Sequence, residues 1–259
     1  MKRLFLVTGK GGVGKTLFSL ALSTYLKDQK DDVCYVNFQN EILPNDLKKL
    51  EIKTISFDIL ESTETYIAKK LNSSIVAHWI MKTPFFNSLL QILPGLQHLI
   101  TLGHIIDHLE HNPELIMVLD SPATGHALTM LKACSQFKKI FKFGPLVKDI
   151  ERIEKFLATR NQLQIFILAL PQELPLAEAR DLEEEIHKIG KWKTKIILNQ
   201  SLSDSLQELT ELPEYFNKKL ALEKKILKEF PELPRLNFIT TDSTSKLVKE
   251  LATQVRALV

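Results

Sequence analysis

With 259 residues, 44% of them hydrophobic and 25% charged, the chain has the apolar material for a sizeable core of ordinary globular composition. Its 34 basic and 31 acidic side chains leave a net charge of only +3, which speaks against nucleic acid or an anionic membrane surface as partner. Cys34 and Cys134 belong to no C-x-x-C pair, so a disulfide framework and a four-cysteine zinc site are excluded. The first apolar run is too short for a signal peptide, and no run approaches the roughly 20 apolar residues of a membrane span. The chain is therefore expected to be soluble and cytoplasmic, with no transmembrane segment.

In chain order, "RLFLVTG" predicts a buried strand over Leu4–Thr8, and "KTLFSLALSTYLKDQ" has apolar residues at helical spacing. Between them lies G-x-x-x-x-G-K-[ST], framed by Gly9 and Gly14 and completed by Lys15 and Thr16. Strand, glycine loop and helix are the context this motif requires. The backbone N–H groups of Gly11, Gly12, Val13 and Gly14 can turn toward phosphate at a helix N-terminus. Lys15 then reaches the β- and γ-phosphates, and the Thr16 hydroxyl binds Mg²⁺. Nucleotide binding follows. A second strand is expected at Val33–Asn37 and another near Ile55.

From Ile55 to His111 the chain is rich in large apolar residues, with Pro84 and Pro94 interrupting helical patterns. A small helical lobe is expected from Thr63 to His111 within one domain spanning residues 1–259. His104, His108 and His111 share a helix face. That spacing can hold a metal, but Ile105, Ile106 and Leu109 form the opposite apolar face, so a solvated histidine stripe is the simpler reading. Further strands are expected at Ile116–Asp120, Ile165–Ala169, Ile196–Leu198 and Leu236–Ile239. Asp120 ends its strand where a carboxylate near Mg²⁺ belongs. The predicted architecture is α/β: a doubly wound, mostly parallel sheet of about seven strands with helices on both faces.

Several stretches carry a family resemblance. "GKGGVGKT", with Lys10 directly after the first glycine, resembles the deviant Walker A loop, and "DSPATGHALTML" resembles the switch II segment of the arsenite-pump and tail-anchored-protein-targeting ATPases. Thr124-Gly125-His126 matches that segment, while Pro122 and Ala123 stand in swapped order. "LALPQELPLAEARDL", "KIILNQ" and "LNFITTDSTSKLVKELA" resemble later parts of the same family, so the likeness extends over nearly the whole chain. It implies an ATP-binding, Mg²⁺-dependent ATPase working as a homodimer or as a heterodimer with a related ATPase. Lys10 would cross to the partner's nucleotide, Asn199 would bond the base, and a helical subdomain would meet a hydrophobic protein client, although core helices covering one side of the sheet are the simpler account of that segment.

Two departures bear on activity. Where the family carries an Asp-Pro-Ala switch I, this chain reads "VCYVNFQNEILPNDL", and Asn37-Phe38-Gln39 replaces the D-F-D of related ATPases. Gln39 or Asn37 can orient a water, as glutamine does in small GTPases, but an amide cannot take its proton. Hydrolysis is therefore expected to be slow or lost unless Asp46, further along, supplies the acid. Arsenite pumping lacks the cysteine ligands a soft metalloid needs. The alternatives are a non-hydrolysing subunit paired with an active relative and a partition or septum-placement switch. The near-neutral charge and the lack of a terminal basic amphipathic helix weigh against the last.

Overall fold

Strands covered on both faces read as near-continuous apolar runs, and three of the described strands, at Leu4–Gly9, Leu115–Asp120 and Leu163–Ala169, obey that rule, with every residue buried. The computed structural model describes residues 2–29, 31–38, 45–56, 59–84, 88, 93–121, 124–142, 145–203 and 213–259. The strands are β1 (Leu4–Gly9), β2 (Asp32–Asn37), β3 (Lys53–Ser56), β4 (Leu115–Asp120), β5 (Leu163–Ala169), β6 (Lys193–Ser201) and β7 (Arg235–Asn237). They lie in the order β3-β2-β4-β1-β5-β6-β7 with every pairing parallel. The expected doubly wound α/β sheet is present.

Several strand ends differ from the expectation by one to three residues, most of all those of β6, which runs on to Ser201, and of β7. β6 begins at Lys193 rather than Ile196, because its polar first residues still pair with β5, Gln164 opposite Lys193. A ladder needs backbone groups, not apolar side chains. β7 stops at Asn237 rather than Ile239, beside a register shift in which Gln200 takes the left-handed φ of 61°.

The intervening segments form α1 (Lys15–Asp28), a 3₁₀ turn (Asn45–Leu50), α2 (Ile59–Leu71), α3 (Ser74–Met81), α4 (Pro94–His111), α5 (Thr124–Ile140), α6 (Pro145–Ala158), α7 (Glu173–Ile189), α8 (Glu214–Glu229) and α9 (Thr244–Val255). Alternation along each strand divides the core in two. Leu4 and Leu6 face the layer of α4 to α7, whereas Phe5 and Val7 face α1 and α9. α4 is part of that first layer, with Leu99, Leu102, Ile105, Ile106 and Leu109 buried against the sheet side. α3 is not: Ile75 is 82% and Trp79 70% exposed.

The histidines on α4 do not converge on one point. His104 Nε2 lies 2.6 Å from the Ser62 carbonyl and its ring meets Tyr66 edge-on, while His111 Nδ1 contacts the Asp107 carbonyl at 2.7 Å. Among the described residues no group of three or more His, Cys, Asp or Glu could hold a metal ion.

A network of charges ties α2, α4 and α6 together. Lys69 donates to Asp107 at 2.7 Å; Arg152 donates to Asp107, to Glu110 at 2.6 Å and to Asp149 at 3.0 Å; and Tyr66 donates to Asp149. Burial opposes the Arg152 charge, yet Asp149, Glu110 and Asp107 outweigh it and hold its pKa above the ordinary value. Removing one partner leaves Asp149, with a side chain only 2% exposed, as an uncompensated buried carboxylate. Arg152→Met is expected to lower stability by roughly 3 kcal/mol, measured as a shift of the urea midpoint. An unchanged midpoint would show the network to be superficial.

Candidate functional site

The carboxyl ends of β1, β2, β4 and β6 come together, the usual ligand edge of an open parallel sheet. In register, Val7 and Asn37 both stand beside Asp120, so the strand ends bring the loop after β1 next to the carboxylate that ends β4. That loop turns tightly into α1. Gly9, Gly12 and Gly14 have φ of 143°, 78° and 90°, in the left-handed half of backbone space where side chains are strained. At Gly9 a Cβ would lie 2.4 Å from the Leu168 carbonyl oxygen, and at Gly14 one would lie 2.5 Å from Asn199 Nδ2. Gly9 and Gly14 are therefore fixed by close approach as well as by φ, and Gly12 by φ alone.

Gly14 caps α1 without a side-chain bond. The first N–H groups of a helix have no acceptor within it, and its dipole favours an anion there. Lys15 opens the helix, and its ammonium folds back to donate to the Lys10 carbonyl at 2.8 Å. Burial pulls the Lys15 pKa down, and the nearby Asp120 charge opposes that shift. The cation thus sits in a partly dehydrated place, close to the carboxylate.

Thr16 Oγ1 donates to Asp120 Oδ2 at 2.7 Å, and the Tyr35 hydroxyl donates to the same oxygen at 2.9 Å. Mg²⁺ prefers hard oxygen ligands at about 2.0–2.1 Å in an octahedron, which sets neighbouring ligand oxygens roughly 2.9 Å apart. The Thr16–Asp120 separation lies within a few tenths of that spacing, so this oxygen pair fits the ion. Mg²⁺ also takes one or two carboxylates plus substrate phosphates in such sites, which agrees with a single acid here.

Lys10 points elsewhere. Its side chain is 54% exposed and forms an ion pair of 2.8 Å with Glu178 on α7 of the same chain. Asn199 is buried, and its amide donates to the Val13 carbonyl at 2.8 Å, joining β6 to the loop. Asn37 is likewise buried at the end of β2. Gln39 and the Asp46 side chain lie outside the described residues.

Of the sequence candidates, Lys15, Thr16, Asp120 and Asn37 meet at one edge, with Gly11 to Gly14 arching over it. Tyr35 and Glu178 were missed. A tyrosine inside the apolar run "VCYVN" signals a polar tip in need of a partner; nothing in "PLAEARDL" distinguishes Glu178 from its acidic neighbours.

The sequence model of a family described as "Anion-transporting ATPase" matches residues 2–148. The chain is also similar to individual proteins at low identity. It is 25% identical over 228 residues to "ATPase BagA" of Mycobacterium tuberculosis, covering 79% of this chain and 67% of that protein. It is 24% identical over 268 residues to "Putative arsenical pump-driving ATPase 2" of Aquifex aeolicus, covering 88% of each. A third likeness, 28% over 169 residues, is to an "ATPase ASNA1 homolog" of Plasmodium vivax, covering 62% of this chain and 43% of that one.

Proposed function

Since the chain belongs to the anion-transporting ATPase family, we propose that it is an ATP- and Mg²⁺-dependent dimeric switch that couples nucleotide state to a partner or client. The observation that carries the reading is the meeting of Thr16, Asp120 and Lys15 beneath a glycine loop at the start of α1. The loop amides and Lys15 bind and orient the β- and γ-phosphates, and the α1 dipole adds to their pull. When bound, Mg²⁺ neutralises charge developing on the phosphate oxygens. Tyr35 donates to the same Asp120 oxygen as Thr16, keeping the carboxylate's rotamer ready for the ion. Asn199 braces the loop through Val13 and lies within the same β6 end from which a base contact is expected.

Asn37 supports slow turnover. It occupies the strand end beside Asp120, where the related ATPases place an acid, and an amide orients water without accepting its proton. Single-turnover hydrolysis measured beside an ATP-binding titration tests this: tight binding with a slow burst agrees, and brisk hydrolysis refutes it. Among the described residues no helix is long and apolar enough to cross a membrane. The exposed Ile75, Val76 and Trp79 on α3 support an apolar client contact.

The Lys10–Glu178 pair gives the dimer reading its own test. Lys10 has to leave Glu178 to meet a partner's γ-phosphate, and an exposed ion pair of about 0–1 kcal/mol is weak enough to exchange. Lys10→Ala is expected to leave ADP binding nearly intact and to weaken ATP-dependent dimerisation about tenfold or more, as charge-assisted bonds of roughly 1.5–3 kcal/mol are lost. Glu178→Gln, which releases Lys10, is expected to strengthen it a few-fold. Sedimentation velocity with ATP reads both. Wild-type association by Lys10→Ala would remove the trans role.

A further inference from the structure

At the opposite pole from the phosphate loop, around the first residues of β5 and β6, lies a cavity of about 610 Å³. Cavities that hold small ligands fall in the range of roughly 300–1,000 Å³ and combine apolar walls with a few placed polar groups. Here the walls come from three helices and a turn. Leu131 and Cys134 on α5, Leu157 at the end of α6 and Leu163 at the start of β5 supply buried apolar surface. Burial and the Glu154 charge push the Cys134 thiol up to about 12, so it stays neutral.

The remaining wall is Trp192, and it is held in place. Its indole N–H donates to the Leu157 carbonyl at 2.9 Å, which satisfies its polar edge and leaves the ring as apolar wall. The ring lies against Gly190, where a Cβ would come within 2.7 Å of it. A side chain at 190 would displace the ring, so the absence of one there is part of how the wall is built.

Charge around the cavity is one-sided. Arg160, Lys191 and Lys193 line it, and among the described residues none of these three side chains has a hydrogen bond or ion pair. The acid in the lining, Glu154, is already bound by Lys138 at 2.8 Å. Nearby, the Lys2 ammonium is pushed down by its burial and then by the charges of Lys193 and Lys195, so the positive field at this edge is not cancelled locally. Three uncompensated cations beside an apolar, rigid wall complement one kind of ligand.

We propose that this cavity is a binding site for a small amphipathic anion, its apolar body against Trp192 and Leu131 and its carboxylate or phosphate head among Arg160, Lys191 and Lys193. The site is separate from the phosphate loop, so binding there does not depend on whether the nucleotide reading is right.

The test titrates the 259-residue chain, in a Trp79→Phe background that isolates the Trp192 signal, with decanoate and with decyl phosphate below their aggregation concentrations. Tryptophan fluorescence and calorimetry are expected to show saturable one-to-one binding of at least one anion, the tighter of the two identifying the head group. Decanol, which has the chain without the charge, is expected to bind about tenfold more weakly, and the double variant Arg160→Glu/Lys191→Glu to lose about tenfold, since exposed charge contacts are individually weak. Binding should persist in Lys15→Ala and under excess ATP with Mg²⁺, which sets this site apart from the phosphate loop. Both reversed charges are exposed, and an unchanged melting curve confirms that the variant folds. If neither anion saturates, if decanol binds equally well, if nucleotide displaces the ligand or if the charge-reversed variant keeps full affinity, the proposal is overturned.

Discussion

Replacing Lys15 with alanine is expected to weaken ATP binding by roughly 10²-fold while leaving the fold's stability almost untouched. In the free protein the ammonium is partly dehydrated, which pulls its pKa down, and it donates to the Lys10 carbonyl, a bond internal to the loop. A cation in that condition adds little to folding, so a thermal melt of Lys15→Ala should lie close to that of the wild type. With nucleotide bound, the same ammonium exchanges the carbonyl for charged phosphate oxygens. Charge-assisted bonds are worth about 1.5–3 kcal/mol each, and 1.4 kcal/mol is tenfold in affinity. Calorimetric titration with ATP and Mg²⁺ reads the loss. Equal affinity in the mutant would mean that the loop after β1 does not hold phosphate.

Gly14→Ala is expected to damage both binding and stability, and for a different reason. The position has φ of 90°, and a methyl group there would lie 2.5 Å from Asn199 Nδ2. The left-handed strain alone is of order 1–3 kcal/mol. Relief of the clash has to move Asn199 off the Val13 carbonyl, which unlatches β6 from the loop. The predicted result is a melting temperature lower by several degrees, since 1 kcal/mol shifts a domain of this size by roughly 2–4 °C. ATP affinity should fall by about tenfold or more, because the loop amides no longer face one point. A variant of wild-type stability and affinity would show that the loop accommodates a side chain the geometry forbids.

The sheet was legible because β1, β4 and β5 are buried on both faces, and that condition writes itself into sequence as apolar runs. The phosphate loop was legible because its geometry admits few residues: glycine where φ is positive, then lysine and threonine at fixed steps. What stayed hidden depends on which distant elements meet. Glu178 reaches Lys10 only because β5 lies beside β1 and leads into α7 at the same sheet edge. The Arg152 network joins helices 38 to 83 residues apart, and nothing local in "KDIERIEKF" marks that arginine as its hub. Asn199 was found through its likeness to a family segment; its bond to Val13 spans 186 residues and could not be read from either end.

The central place of β1 has a consequence for how the chain is made. β1 leaves the ribosome well before its sheet neighbours, β4, more than 100 residues later, and β5, roughly 160 residues later. Until β4 has emerged, the apolar residues of β1 have no strand on either side and the loop that follows lacks Asp120; the brace from Asn199 comes later still, with β6. The phosphate-loop motif is thus synthesised long before it is completed. Long-range parallel pairing of this kind folds slowly and leaves sticky surface waiting. A nascent chain cut before Leu163 would carry the whole G-x-x-x-x-G-K-T sequence without the strand that braces its glycine turn, and it would more readily meet a chaperone than a nucleotide.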